Sequence, residues 1–198
     1  MEKKKFFKNK KQMIIYIIIF CLLVFGFIYL GTRNYDTKKG DHEKFDAQFS
    51  LVNEDNVFTY INSNDARRLL DSENTIIFFG TDTSEWVNYY AKILNDVAKQ
   101  TGVKNINYYD FLEDRKNSNG TYESIVEKLS KYATVDDEGK KNIYAPSLLV
   151  IKDSKIIYFD NETSINQGDI TPEVYWNEYQ TGLKTSMLKE IFTEYVGV

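Results

Sequence analysis

Residues able to do chemistry are scarce in this 198-residue chain, and their types exclude most reactions. It has one histidine, His42, and one cysteine, Cys21. A hydrolytic serine needs a base close by to take its proton. With His42 alone, in a polar stretch ahead of the folded part, a Ser-His-Asp triad is not expected. Zinc favours His and Cys ligands, so neither a metal centre nor any other cofactor is expected. Asp136-Asp137-Glu138-Gly139 is acidic but lacks the spaced oxygen ligands of a calcium loop, and reads as a solvated turn. Asp110, Glu113, Asp114 and Arg115 read as loop charges. The positions that matter most are Thr83-Ser84-Glu85-Trp86-Val87. They follow an apolar run, Thr75-Ile76-Ile77-Phe78-Phe79, and Gly80, and they open a helical pattern. There Ser84 or Thr83 reads as an N-cap, with Asp82 and Glu85 complementing the positive end of the helix dipole.

The elements that must hold these positions follow from periodicity. Thr75–Phe79 is apolar throughout, as expected for a strand buried on both faces. Trp86, Tyr89 or Tyr90, Ile93, Leu94, Val97 and Ala98 recur at helical spacing, and Gly102 supplies a stop. Val57–Ile61 and Ile106–Tyr109 are further strands. Ser63 or Asn64 caps a short helix carrying Ala66, Leu69 and Leu70, and Tyr122, Ile125, Val126 and Leu129 share one face of another. Leu148–Ile151, the turn Lys152-Asp153-Ser154-Lys155 and Ile156–Phe159 form a hairpin. Thr171 with Pro172 starts a last helix, in which Gly182 marks a break. The order is β-α-β-α-β-α-β-β-α. Its alternating half requires parallel pairing through crossover helices and its hairpin an antiparallel pair. An α/β fold with a mixed central sheet and flanking helices follows.

Phe78-Phe79-Gly80-Thr81-Asp82-Thr83-Ser84-Glu85-Trp86-Val87 resembles the strand, turn and helix start of thioredoxin-like proteins. The likeness is nearest to the membrane-anchored extracytoplasmic members of Gram-positive bacteria, including those accessory to bacteriocin maturation and transport. These typically carry Gly-x-x-Thr/Ser-Cys-Pro-Trp/Tyr-Cys. Gly80, Thr83 and Trp86 match that pattern. Ser84 stands at the first cysteine, Glu85 at the proline and Val87 at the second cysteine. Tyr144-Ala145-Pro146-Ser147-Leu148-Leu149-Val150 resembles the loop that sets a cis-proline beside the active site. The resemblance covers about residues 55–198 and implies a thioredoxin-like domain whose Cys-x-x-Cys has degenerated. Disulfide exchange needs a thiolate to attack and a second thiol to resolve the mixed disulfide. Ser84 and Val87 can do neither, so an enzyme is not expected. The resemblance implies instead a peptide or partner contact at Thr83, Trp86, Ala145 and Pro146. Tyr175, Trp176 and Tyr179 read as helix packing.

Ahead of this domain the chain carries six lysines and one glutamate in residues 1–12, then an uncharged run from Met13 to Leu30. With Gly31 and Thr32 that run is about twenty residues, enough to cross a ~30 Å hydrocarbon core. Lysines on its N-terminal side predict that this side stays in the cytoplasm. The expected organisation is a basic cytoplasmic tail (1–12), one transmembrane helix acting as signal anchor (13–32), a polar stalk (33–53) and an extracytoplasmic domain (54–198). Phe45, Phe49 and Leu51 are expected to begin docking onto that domain. Cys21 reads as an apolar filler within the span. The formal charge is −4, and the tail contributes +5, so the remainder carries −9. Such a domain does not suit nucleic acid, which needs a basic footprint. The expected partners are a secreted peptide or a membrane protein. Two other roles fit the sequence: an oxidoreductase-class accessory assisting export or maturation of a secreted peptide, and a structural subunit of a membrane transport or conjugation complex.

Overall fold

The structure, a computed structural model, describes the backbone of residues 10–164 and 168–197, and the side chains of these except 10–13 and 25–39. The chain divides into two compact units, Met1–Gly40 and Asp41–Val198. Helix α1 (Lys10–Gln48) accounts for the described part of the first unit and gives its last turns to the second. The large apolar side chains described between Ile14 and Val24 all stand exposed. Among the described residues no helix is long and apolar enough to cross a membrane. The side chains of 25–32, on which the expected span also rests, lie outside the described residues, as does most of the basic tail (1–9).

The second unit is built on a five-stranded mixed sheet of β1 (Phe58–Tyr60), β2 (Thr75–Gly80), β3 (Ile106–Asp110), β6 (Ser147–Lys152) and β7 (Lys155–Asp160). The strand order is β1-β3-β2-β6-β7. β3 lies parallel to β1 and β2, while β6 runs antiparallel to both β2 and β7. The β6–β7 turn is the expected one, with Asp153 and Ser154 both at positive φ, the geometry of a two-residue hairpin. A second small sheet, β4 (Thr134–Val135) with β5 (Lys141–Asn142), lies in a stretch the periodicity leaves blank.

Because strand side chains alternate, β2 feeds two cores. Ile76 and Phe78 face one, with Tyr108, Leu148 and Val150; Ile77 and Phe79 face the other, with Tyr109, Leu149 and Ile151. Over the first face pack α3 (Glu85–Thr101), α6 (Pro172–Tyr175) and α7 (Glu178–Val196). Over the second pack α2 (Ser63–Leu69) and α5 (Gly120–Lys128), while α4 (Leu112–Lys116) buries no side chain. α3 stops at Gly102, whose φ of 82° is open to a residue lacking Cβ.

The structure differs from expectation at several ends. The cap of α2 is Asn62, whose side chain accepts from the Asp65 N–H, rather than Ser63 or Asn64. The last helical region breaks at Trp176 and Asn177, where Asn177 caps α7, and Gly182 runs through inside the helix. Phe45 and Phe49 dock as expected and are buried with Val52, so part of the segment expected as stalk is core, whereas Leu51, expected to dock with them, is exposed.

Candidate functional site

β2 ends at Gly80, paired with Asp110 on one side, while Phe79 pairs with Ser147 on the other. One step further along that antiparallel register, Pro146 and Ala145 fall beside Gly80 and Thr81. The loop Thr81–Ser84 and the Ala145–Pro146 turn therefore leave the same end of the sheet side by side. The Ala145–Pro146 peptide is cis. Pro146 is buried, and Ala145 is half-buried between the two cores. Ser147 Oγ donates to the Tyr144 carbonyl (2.6 Å) and steadies the turn.

Packing explains the glycine at position 80. A Cβ there would lie 2.5 Å from Tyr108 Cε2 and 3.0 Å from Val87 Cγ1. Strand β3 and helix α3 thus close directly over Gly80. Val87, at the position the resemblance gives to a second cysteine, is fully buried. Ser84 occupies the N-cap backbone position of α3, and its carbonyl accepts from Val87 N–H (3.1 Å). Its hydroxyl makes no capping bond, contrary to expectation. Thr83 Oγ1 lies instead 3.4 Å from Thr81 Oγ1. Asp82, Thr83 and Glu85 are exposed and Ser84 is half-buried.

Trp86 is half-buried, its ring set edge-on to Tyr175 (centroids 5.5 Å apart). Tyr175 in turn meets Trp176, which stacks on Tyr90 (5.9 Å, 9° between planes). Of the expected packing trio, Tyr175 and Trp176 pack, but Tyr179 is 70% exposed. Beside α3 lies a cleft of about 310 Å³ between the Ser50–Leu51 turn, Glu85, Asn88 and Tyr89, and Thr171 and Glu173. Asn88 ties its wall together, accepting from Leu51 N–H (3.1 Å) and donating to Ser50 Oγ (3.2 Å).

Behind the aromatic row is a buried ionic network that residue spacing does not disclose. Lys184 of α7 donates to Asp160 Oδ2 (2.7 Å) and Glu162 Oε2 (2.6 Å). Asp160 Oδ2 also accepts from the Tyr90 hydroxyl and, at 3.2 Å, from Tyr158. Tyr175 donates to Glu162. Burial pushes the Asp160 carboxyl up, but the Lys184 charge and the bonds from Lys184 and Tyr90 outweigh it, so it sits below its ordinary value. Glu162 is held down in the same way by Lys184 and Tyr175 against its own burial. Burial, then the Asp160 charge, push the Tyr90 hydroxyl well up.

At the mouth of β3 the balance reverses. Burial, and then the neighbouring Asp82 charge, raise Asp110 above its ordinary value, despite bonds from the Leu112 and Asp82 backbones. The Tyr108 hydroxyl, under the same loop, is buried without a hydrogen-bond partner.

Among the described residues no group of three His, Cys, Asp or Glu could hold a metal ion. The Asp136–Gly139 segment is the β4–β5 turn, in which Asp136 Oδ1 accepts from the Glu138 and Lys140 N–H groups. The site thus offers backbone, aromatic faces and carboxylates, and the second unit contains no sulfur nucleophile because the chain's one cysteine is Cys21. No protein-family model matches this chain, and no curated protein matches it.

Proposed function

We propose that the second unit is a redox-inactive, thioredoxin-like binding domain, held at the outer face of a membrane by residues 13–32. It takes an extended segment of a secreted peptide or of a membrane-protein partner. The segment lies in the groove between Thr83–Val87 and Ala145–Pro146. The observation that carries this reading is the strand order β1-β3-β2-β6-β7, with α3 launched from the end of β2 beside the turn that starts β6. Ala145 offers its backbone to the segment by strand addition. Trp86 supplies the kind of aromatic contact that dominates binding energy at interfaces. Electron transfer through dithiols is outside its repertoire, since Ser84 and Val87 stand where attacking and resolving sulfurs would be needed. The uncharged run from Met13 to Leu30 supports the anchor.

Photo-crosslinking in cells, with the reactive group placed at Trp86 or Ala145, tests the reading. Both positions are expected to give specific adducts that a probe at exposed Asp137 does not. Adducts no stronger than those from Asp137 would overturn it.

A further inference from the structure

We infer that the groove's occupant is a basic segment, one carrying lysine or arginine side chains, which it seats in the cleft between Glu85 and Glu173. The inference rests on the groove reading above and adds the chemistry of the partner.

The charge pattern around the groove carries it. Residues 80–91, 142–147 and 168–183 form the end of β2 with the start of α3, the Ala145–Pro146 turn, and α6 with the start of α7. Asp82, Glu85, Asp169, Glu173 and Glu178 are their only charged side chains, in a chain with 25 lysines and arginines. Cations on neighbouring elements are already engaged. Lys44 lies over the Tyr60 ring at 3.8 Å, Arg115 lies over the Tyr144 ring at 4.5 Å beside the Ala145–Pro146 turn, Lys92 pairs with Asp96 (2.7 Å), and Lys184 is locked to Asp160 and Glu162. Helix N-termini absorb part of this negative charge, but each offers only about half an elementary charge. The three that start here, those of α3, α6 and α7, leave most of it uncancelled.

Shape agrees with charge. The cleft of about 310 Å³ has Glu85 and Glu173 on its walls and the Tyr89 ring beside them. Glu85 belongs both to this cleft and to the Thr83–Val87 wall of the groove. A long cationic side chain can lay its methylene stem along aromatic carbon and its charge between carboxylates. An acidic or purely apolar segment would leave those carboxylates facing like charge or nothing.

The test uses the full chain in a neutral detergent and two acetylated, amidated peptides of equal length, one alternating Lys with Ala and one alternating Glu with Ala. Tryptophan fluorescence reads binding. The lysine peptide is expected to bind with an affinity that falls as salt rises, and the glutamate peptide not to bind. Glu85→Gln with Glu173→Gln is expected to weaken binding on the order of tenfold. Asp137→Asn with Glu138→Gln removes two charges from the exposed β4–β5 turn and is expected to change nothing. Equal losses in the two variants, or equal binding of the two peptides, would overturn the inference by reducing it to net charge. The cellular crosslink at Ala145 separates the two levels. Adducts that persist unchanged in Glu85→Gln/Glu173→Gln would keep the groove and discard the basic partner, while loss of all specific adducts in the unmodified chain would discard both.

Discussion

At the scale of single residues, the most deeply buried ion pair among the described residues is that of Lys184 with Asp160. Both side chains are almost wholly buried, at 5% and 7% exposure. Removing one partner of a buried pair strands the other charge and typically costs about 3–5 kcal/mol. Lys184→Met is therefore expected to destabilise the domain by about that much in urea unfolding. Lys184→Met with Asp160→Asn should recover most of the loss, because Asn keeps an acceptor for Tyr90 and Tyr158 without a charge. If the double variant is no better than the single one, lost packing of the lysine stem explains the effect and the pairing does not. The pH dependence has a definite sign. Asp160 is depressed in the folded state, so its stabilisation is fully present above the unfolded carboxyl value, about 3.9, and drains away as pH falls through the folded value. Unfolding free energy should drop below about pH 4, and Asp160→Asn should flatten that drop. Residue spacing could not have revealed this pair. A lysine amid the polar residues of a helix reads as solvent-facing, and its partner lies 24 positions away on another element.

At the scale of elements, the decisive unit is β2, its loop and α3. If this segment is the counterpart of a dithiol-bearing helix start, two thiols placed there must meet. Positions 84 and 87 are the N-cap and third residue of a helix, with Cα atoms about 5 Å apart, inside the roughly 4.4–6.8 Å that a disulfide spans. Ser84→Cys with Val87→Cys, in a Cys21→Ser background, should oxidise in air and lose both free thiols to a thiol-specific reagent. Persistent free thiols would mean that the segment is aligned wrongly. These elements were legible because their burial is periodic: β2 is buried at every position and α3 along one stripe. Elsewhere the pattern is thinner, and the reading missed. β4 and β5 are two residues each and mostly polar, so no alternation can register. α4 buries nothing and carries no stripe. The break before α7 falls at Asn177, where a side chain caps the next helix, and not at Gly182, where added bulk would meet open space. The two motifs at this end of the sheet were legible, but the acidic residues near them come from two segments far apart in sequence, 80–91 and 168–183, which only the folded chain brings together.

At the scale of the whole molecule, the question is where the folded unit starts. Polarity placed its edge at residue 54, yet Phe45 stacks on Phe58 (4.1 Å) and meets Tyr108 edge-on (5.2 Å), and Phe49 meets Tyr108 at 5.5 Å. A signal for this was present, since Phe45 and Phe49 stand four residues apart, one turn of helix. It predicts that Phe45 and Phe49 dock, but the surrounding charges place the edge of the domain after them. Tyr60 N–H also donates to Asp41 Oδ2 (3.2 Å), and Asn56 Nδ2 donates to the His42 carbonyl (3.0 Å). Losing a buried phenylalanine costs about 3–5 kcal/mol, so losing both approaches the 5–15 kcal/mol that holds a typical domain together. Residues 41–198 should consequently melt as one cooperative unit by circular dichroism, and residues 54–198 should show no such transition. A melt of 54–198 within a few degrees of the longer piece would make Phe45 and Phe49 accessory. The expected result ties function to this boundary. No more than residues 33–40 of the expected stalk then lie outside the second unit. Phe45 and Phe49 both pack on Tyr108, the ring that closes over Gly80 at the mouth of the groove.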